Sequence, residues 1–270
     1  MKGCRHVCKD NRVYESVREA LRILELDYEH YGTNKWNPFG EFLSPGEKVV
    51  IKPNFVLDYH PAQGNLYSII THPSIIRVIV DYCYIALKGK GEIIIADSPQ
   101  FNCDFHALLN KTQLESISNL FRDELSFPVK IYDLRPYYWG DRNSSNIIRL
   151  RGDPMGYTLV DLDGESKLSS LDYRKFYSVD DHREETLKYH NNRKHEYKIS
   201  KTVLDADCVI LIPKLKVHKK VGVTLNVKNL VGIVGDKRCL PHFRVGTSSD
   251  QSDSFPDILS HTERVILKLK

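Results

Sequence analysis

The sequence predicts an α/β fold: a doubly wound, mostly parallel sheet with a smaller inserted or second subdomain. Short apolar, β-branched runs at 48–52, 92–96 and 208–212 have the length and composition of buried parallel strands. Amphipathic or wholly apolar helical patterns separate them, and such alternation is the signature of a wound sheet. Between 136 and 200 the texture changes to Tyr-, Asp- and Arg-rich segments with only short strand-like pieces.

Taken in order, residues 3–8 read as a short strand and Val13 to Leu26 as a helix, with Val13, Val17, Ala20, Leu21 and Leu24 on one side. Residues 29–45 read as a loop that ends in the turn Ser44-Pro45-Gly46. A strand follows at 48–52. Thr71-His72-Pro73 then opens a helix from Ser74 to Lys88, because proline suits a first helical turn. A second strand covers 92–96, a helix 113–125 and a strand 129–134, with shorter strands at 147–150 and 157–162. Residues 257–270 read as a final amphipathic helix. The organisation expected is an N-terminal α/β half (1–135), a charged insertion or subdomain (136–200), and a C-terminal half (201–270). That last part completes the α/β domain and carries a basic loop.

Composition narrows the function classes. A hydrophobic content of 41% and a charged content of 27% are those of a globular protein. The net charge of only +4 disfavours a nucleic-acid binder, so any anion site must be local. No uncharged apolar run approaches the ~18 residues of a membrane span. The polar start MKGCRHVCKDNR lacks a signal-peptide core, and a cytoplasmic location is expected. Six dispersed cysteines fit reduced thiols. Cys4 and Cys8 would need a third cysteine at position 11 for a radical-type iron–sulfur site, and Asn11 stands there. His182, His190 and His195 show no metal-ligand spacing. Phosphate-loop and dinucleotide fingerprints are absent.

Candidate chemistry gathers at the carboxyl ends of the strands, where open α/β sheets bind ligands. Lys52 and Asn54 end the first, Asp97 and Ser98 the second, and Pro213 closes the third. Beyond it run Lys214, Lys216, His218, Lys219, Lys220 and Lys228, interleaved with valines and leucines. A solvated basic face followed by an ordinary helix is the plain reading of that stretch. Thr224, Asn226, Asn229 and Gly232 argue against it, being poor choices for filling a helix. Thr71 and His72 lie at a helix amino end, which offers free amide donors to an anion.

Together, Lys-Pro-Asn (52–54), Thr-His-Pro (71–73), Asp-Ser-Pro (97–99), Pro-Lys-Leu-Lys-Val-His (213–218) and Thr-Leu-Asn-Val-Lys-Asn-Leu-Val-Gly (224–232) resemble domain-of-unknown-function family 362. The resemblance runs from about 45 to 245 and is weaker in the middle. It implies an α/β fold. Some members of that family carry an added ferredoxin-like segment with two iron–sulfur clusters, but this chain has no CxxCxxC. The family also has an overall similarity to the lactate racemase group, which uses a nickel-pincer nucleotide held by lysine and histidine. Those ligands do not align residue by residue here.

Three functions compete. The first is an enzyme, of open reaction class, acting on a small anionic phosphate- or carboxylate-bearing molecule. Lys52, Lys214, Lys216 and Lys228 would neutralise it, and Asn54, Asn226 and Asn229 would orient it, with Thr71, His72, Ser98, Thr224 and His242 also lining the site. His218 would be the general acid/base, Asp97 its orienting carboxylate, and Lys216 a base or covalent nucleophile. The second is a metal or organometallic enzyme with His72, His218 and His242 as ligands. The third is a non-catalytic binding or electron-transfer accessory protein with Tyr137-Tyr138-Trp139 as an aromatic anchor. The first is the expectation carried forward, with the cofactor left open and no metal ligand assigned. Its partners are a small anionic ligand, no nucleic acid and no membrane, with a protein partner left open.

Overall fold

The computed structural model describes residue 7 and residues 10–140, 146–178, 183–218 and 222–254. The expected strand at 3–8, apart from Val7, and the expected helix at 257–270 lie outside the described residues. In chain order the elements are α1 (Arg12–Ile23), β1 (Lys48–Pro53), α2 (Pro73–Leu87), β2 (Glu92–Asp97), α3 (Phe105–Thr112), α4 (Glu115–Leu125) and β3 (Val129–Asp133). Next come β4 (Tyr137–Trp139), β5 (Ile147–Arg149), β6 (Tyr157–Asp161), β7 (Phe176–Tyr177), α5 (Arg183–Tyr189) and β8 (Glu196–Ser200). The last are α6 (Lys201–Leu204), β9 (Cys208–Ile212), β10 (Lys216–His218), β11 (Gly222–Thr224), α7 (Asn226–Asn229) and β12 (Phe243–Arg244). They fall into two compact units, Met1–Gly156 with Ser200–Gly235, and Tyr157–Ile199 with Asp236–Lys270. Residues 136–156 of the expected insertion thus go with the sheet, and 157–199 with the second unit.

In the first unit β1, β2, β3 and β9 form a four-stranded parallel sheet in the order β3-β2-β1-β9. Two steps in one direction, β1 to β2 and β2 to β3, place α2 and α4 on one face, as right-handed crossovers require. Side chains alternate across a strand, so Val49, Ile51, Ile93 and Ile95 pack there against Ile76, Val80 and Phe121. Val50, Ile94 and Ala96 face the other way, against Val203 of α6 and Leu134. The chain then adds β9 on the far side of β1, in register from Val49↔Cys208 to Pro53↔Ile212. The strand order reverses between β1 and β9. At such a switch point the connections diverge and leave a crevice at the carboxyl ends.

The helix boundaries follow local chemistry. Asn11 caps α1 by accepting from the Val13 and Tyr14 amides. His72 caps α2 through Nδ1, which accepts from the Ser74 amide at 3.1 Å, and Pro73 occupies the first turn. The sequence pattern does not mark α3, which Asp104 caps through the Ala107 amide before Gln113 turns left-handed at φ 53°. The loop at 29–45 covers α2: Trp36 and Phe39 both pack on Tyr82. The aromatic run Tyr137-Tyr138-Trp139 is also spent internally, with Tyr137 stacked on Phe101 at 5.2 Å and Arg135 over Tyr138.

The second unit is built from small pairings, β6 with β8 and β7 with β12. Its interior holds two buried histidines. His190 Nε2 lies 2.6 Å from the Cys239 carbonyl, which can only accept, so that nitrogen carries the proton. His190 Nδ1 is then free to accept from His195 Nδ1 at 3.2 Å.

Ile95 is wholly buried at the centre of the sheet. Ile95→Ala is expected to lower stability by about 2–5 kcal/mol, measured by urea denaturation. A change below about 1 kcal/mol would show that this face is not the main core.

Candidate functional site

The crevice is organised by a buried ion pair. Lys52 is 1% exposed, and its Nζ lies 2.8 Å from Asp97 Oδ1. The same ammonium donates to the Pro53 carbonyl at 2.6 Å and to Asn229 Oδ1 at 3.1 Å, while Asn229 Nδ2 returns a bond to the Lys52 carbonyl. Asp97 Oδ2 accepts from the Phe55 amide at 2.6 Å. Burial pushes the Lys52 ammonium below its ordinary pKa, and Asp97 opposes that shift. Both groups are therefore consumed by each other and by neighbouring backbone. Lys52 is not displayed as a cation for a ligand, and the Asp97 carboxylate bonds to Lys52 and to the Phe55 amide, with no histidine bonded to it among the described residues.

Gly232 lies directly over the pair. A Cβ there would fall inside contact distance of Asp97 Oδ1 and of Lys52 Cε and Nζ, so no side chain fits. Its carbonyl accepts from the Ser98 amide at 2.9 Å, which ties the 230–233 turn to the end of β2. Ser98 Oγ lies 3.5 Å from the Gly235 carbonyl.

Asn54 and Thr71 join the end of β1 to the amino end of α2. The Asn54 amide donates to Thr71 Oγ1 at 2.9 Å, and that hydroxyl donates to the Ile212 carbonyl at the end of β9. Asn54 Nδ2 and Lys216 Nζ both donate to the Ile69 carbonyl, at 2.9 and 2.6 Å. Segments 52–54, 69–72, 97–98, 212–216 and 229–232 are thus linked by direct bonds. Thr71 Oγ1, Asn54 Nδ2 and both polar atoms of the Asn229 side chain are bonded within this frame.

The displayed cations come from the stretch after β9. β10 and β11 form an antiparallel hairpin with Lys216 opposite Thr224 and Val217 opposite Val223. Lys216 and Thr224 turn inward, and Val217 turns outward at 91% exposure. Burial above all, opposed by Asp97 and aided by the charges of Lys228 and Lys214, lowers the Lys216 pKa to about 8. Lys228 Nζ lies 3.0 Å from His218 Nε2. An ammonium can only donate, so His218 Nε2 presents a lone pair to it. Partial desolvation and the Lys214 charge keep His72 below its usual value, in keeping with an Nδ1 that accepts in the helix cap. Thr224 Oγ1 is buried and makes no hydrogen bond among the described residues. Asn226 is exposed on α7.

His242 belongs to the second unit, where its amide donates to the Tyr177 carbonyl. Lys219 and Lys220 lie outside the described residues. Among the described residues no three His, Cys, Asp or Glu side chains are grouped to hold a metal ion. An imidazole that caps a helix and one that faces an ammonium make a poor ligand set, so His72 and His218 do not fit the metal-centre reading. Burial raises the thiols of Cys83, Cys103 and Cys239, the last to about 12, which removes them as nucleophiles near neutral pH.

Fold and site together define an α/β protein with a cluster of lysines at the switch point of its parallel sheet. The chain belongs to the family described as Domain of unknown function (DUF362), which matches residues 49–135 and 165–268. It is also similar to the Thylakoid-associated protein sll1697 of Synechocystis sp., with 24% identity over 229 residues. That alignment covers 84% of this chain and 51% of the relative, so the chain spans about half the relative's length. No solved structure gives a significant match.

Lys52→Met leaves Asp97 buried without its cation and is expected to cost about 3–5 kcal/mol of stability. Gly232→Ala is expected to cost about 1–3 kcal/mol through overpacking. Urea midpoints unchanged in both variants would show that the pair is not enclosed as described.

Proposed function

We propose that the crevice between the carboxyl ends of β1 and β9 binds a small phosphate- or carboxylate-bearing molecule and that the protein is an enzyme acting on it. The observation that carries this reading is Lys216, a half-buried ammonium with its pKa near 8, set among Lys214 and Lys228. Among the described residues, the charges acting on Lys216 are those of Lys214, Lys228 and one carboxylate, Asp97, which Lys52 already neutralises. An anion relieves that surplus, and a partly desolvated site strengthens the attraction. A lysine with a lowered pKa is also the kind that serves as a base or forms an imine. As a base, neutral Lys216 would take a proton from the bound molecule while Lys228 and Lys214 hold its charge. His218, joined to Lys228, is the second proton-transfer group in this reading.

The sign of the pH dependence follows from the lowered pKa. Lys216 is cationic below about pH 8 and neutral above it. Sulfate, whose own charge is constant over this range, is expected to bind best below pH 8 and to weaken as pH rises through it. Lys216→Gln should lower affinity roughly tenfold, the loss of a charge-assisted hydrogen bond, and flatten that profile. Calorimetry from pH 6 to 10 checks both. Sulfate, phosphate and citrate all failing to bind would end the proposal.

A cytoplasmic location belongs to the same reading. No helix among the described residues is long and apolar enough to cross a membrane. The relative's name raises the competing placement on a membrane surface. Cell fractionation should recover the protein in the soluble fraction at low salt; recovery with membranes until a high-salt wash would favour the competitor.

A further inference from the structure

Beside the lysine cluster runs an open trough of about 670 Å³, lined by Val223, Leu225, Asn226, Val227, Lys228 and Val231. Its walls are apolar apart from Asn226 and Lys228. Val227 is 84% exposed, and Val223, Leu225 and Val231 are each at least 40% exposed. Apolar side chains displayed together in a concavity, rather than scattered singly, mark a binding surface. The volume lies within the usual range for small-molecule sites.

Lys228 belongs to both features: it lines the trough, lies 3.0 Å from His218 Nε2 and acts on Lys216 through its charge. The apolar trough and the cation cluster therefore meet at Lys228. We infer that the ligand of this site is a single-chain anionic amphiphile, with its phosphate or carboxylate against Lys228, where the two features meet, and its hydrocarbon chain along Leu225, Val227 and Val231. This rests on the anion-binding reading above and adds the second half of the molecule. Charge complementarity fixes which end of the ligand meets Lys228. A phosphate without a chain would leave the valines and leucines wet, and a neutral hydrocarbon would leave the lysine surplus uncompensated.

The test uses inorganic phosphate, butyl phosphate and octyl phosphate below its micellar concentration, titrated calorimetrically into the full chain. Each methylene that leaves water tightens binding by up to about fourfold, so octyl phosphate should bind at least roughly tenfold more tightly than inorganic phosphate. Val227→Asn, which adds no charge beside Lys228 and lies at a position too exposed to govern folding, should remove most of that gain and leave phosphate affinity within about twofold. Equal affinity for all three probes overturns the amphiphile inference while leaving the anion site standing. A chain-length gain that survives Val227→Asn overturns the placement of the chain in the trough. No binding of any probe overturns both readings. Binding to phosphatidylglycerol vesicles without affinity for monomeric octyl phosphate would replace the single-chain ligand with a bilayer surface.

Discussion

The buried pair Lys52–Asp97 is the interaction on which the rest of the crevice depends. It closes the ends of β1 and β2, reaches α7 through Asn229, and leaves space above itself only for Gly232. Taking both charges out of water costs several kcal/mol per ion, offset only where geometry and further hydrogen bonds are good. Here the Pro53 carbonyl, Asn229 and the Phe55 amide supply those bonds. Such a pair specifies one arrangement of its neighbours more than it adds net stability. Segments far apart in sequence are held in one register because any other would leave a charge buried and unpaired.

That constraint sorts the lysines into two kinds. Lys52 is a frame residue, while Lys214, Lys216 and Lys228 lie outside that ion pair. The difference lies in solvation and partners. Lys52 is enclosed with a carboxylate in contact, whereas Lys216 keeps part of its surface in water and donates to a neutral carbonyl. Only the second kind can exchange its partner for a ligand without unfolding its surroundings.

The parallel sheet was legible in the sequence because strands buried on both faces must be apolar through their middles, as 49–51 and 93–96 are. The convergence of 52–54, 97–98 and 214–216 was legible from their positions at strand ends, and that of 71–72 from the helix amino end. Residue roles were less so. Nothing local to Lys52 says that Asp97, 45 positions later, consumes its charge. Asn54 and Asn229 looked like ligand donors because side-chain amides suit both jobs, and only the partners decide. Helix α3 went unmarked because Phe105–Thr112 is too short for a clear apolar period, although Asp104 was a usable cap signal. The exposed valines at 217 and 227 carried no mark either, since alternation within a strand does not say which face is covered.

The hairpin of β10 and β11 has a consequence of its own. Its register sets Lys216 and Thr224 on the inner side and Val217 and Val223 on the outer. With only three residues in each strand, few ladder bonds enforce that choice. A slip by one residue would turn every side chain over, sending the ammonium out to solvent and a valine into the crevice. The bond from Lys216 to the Ile69 carbonyl acts against that slip, so the charge that defines the site also serves as the detent of the hairpin that carries it.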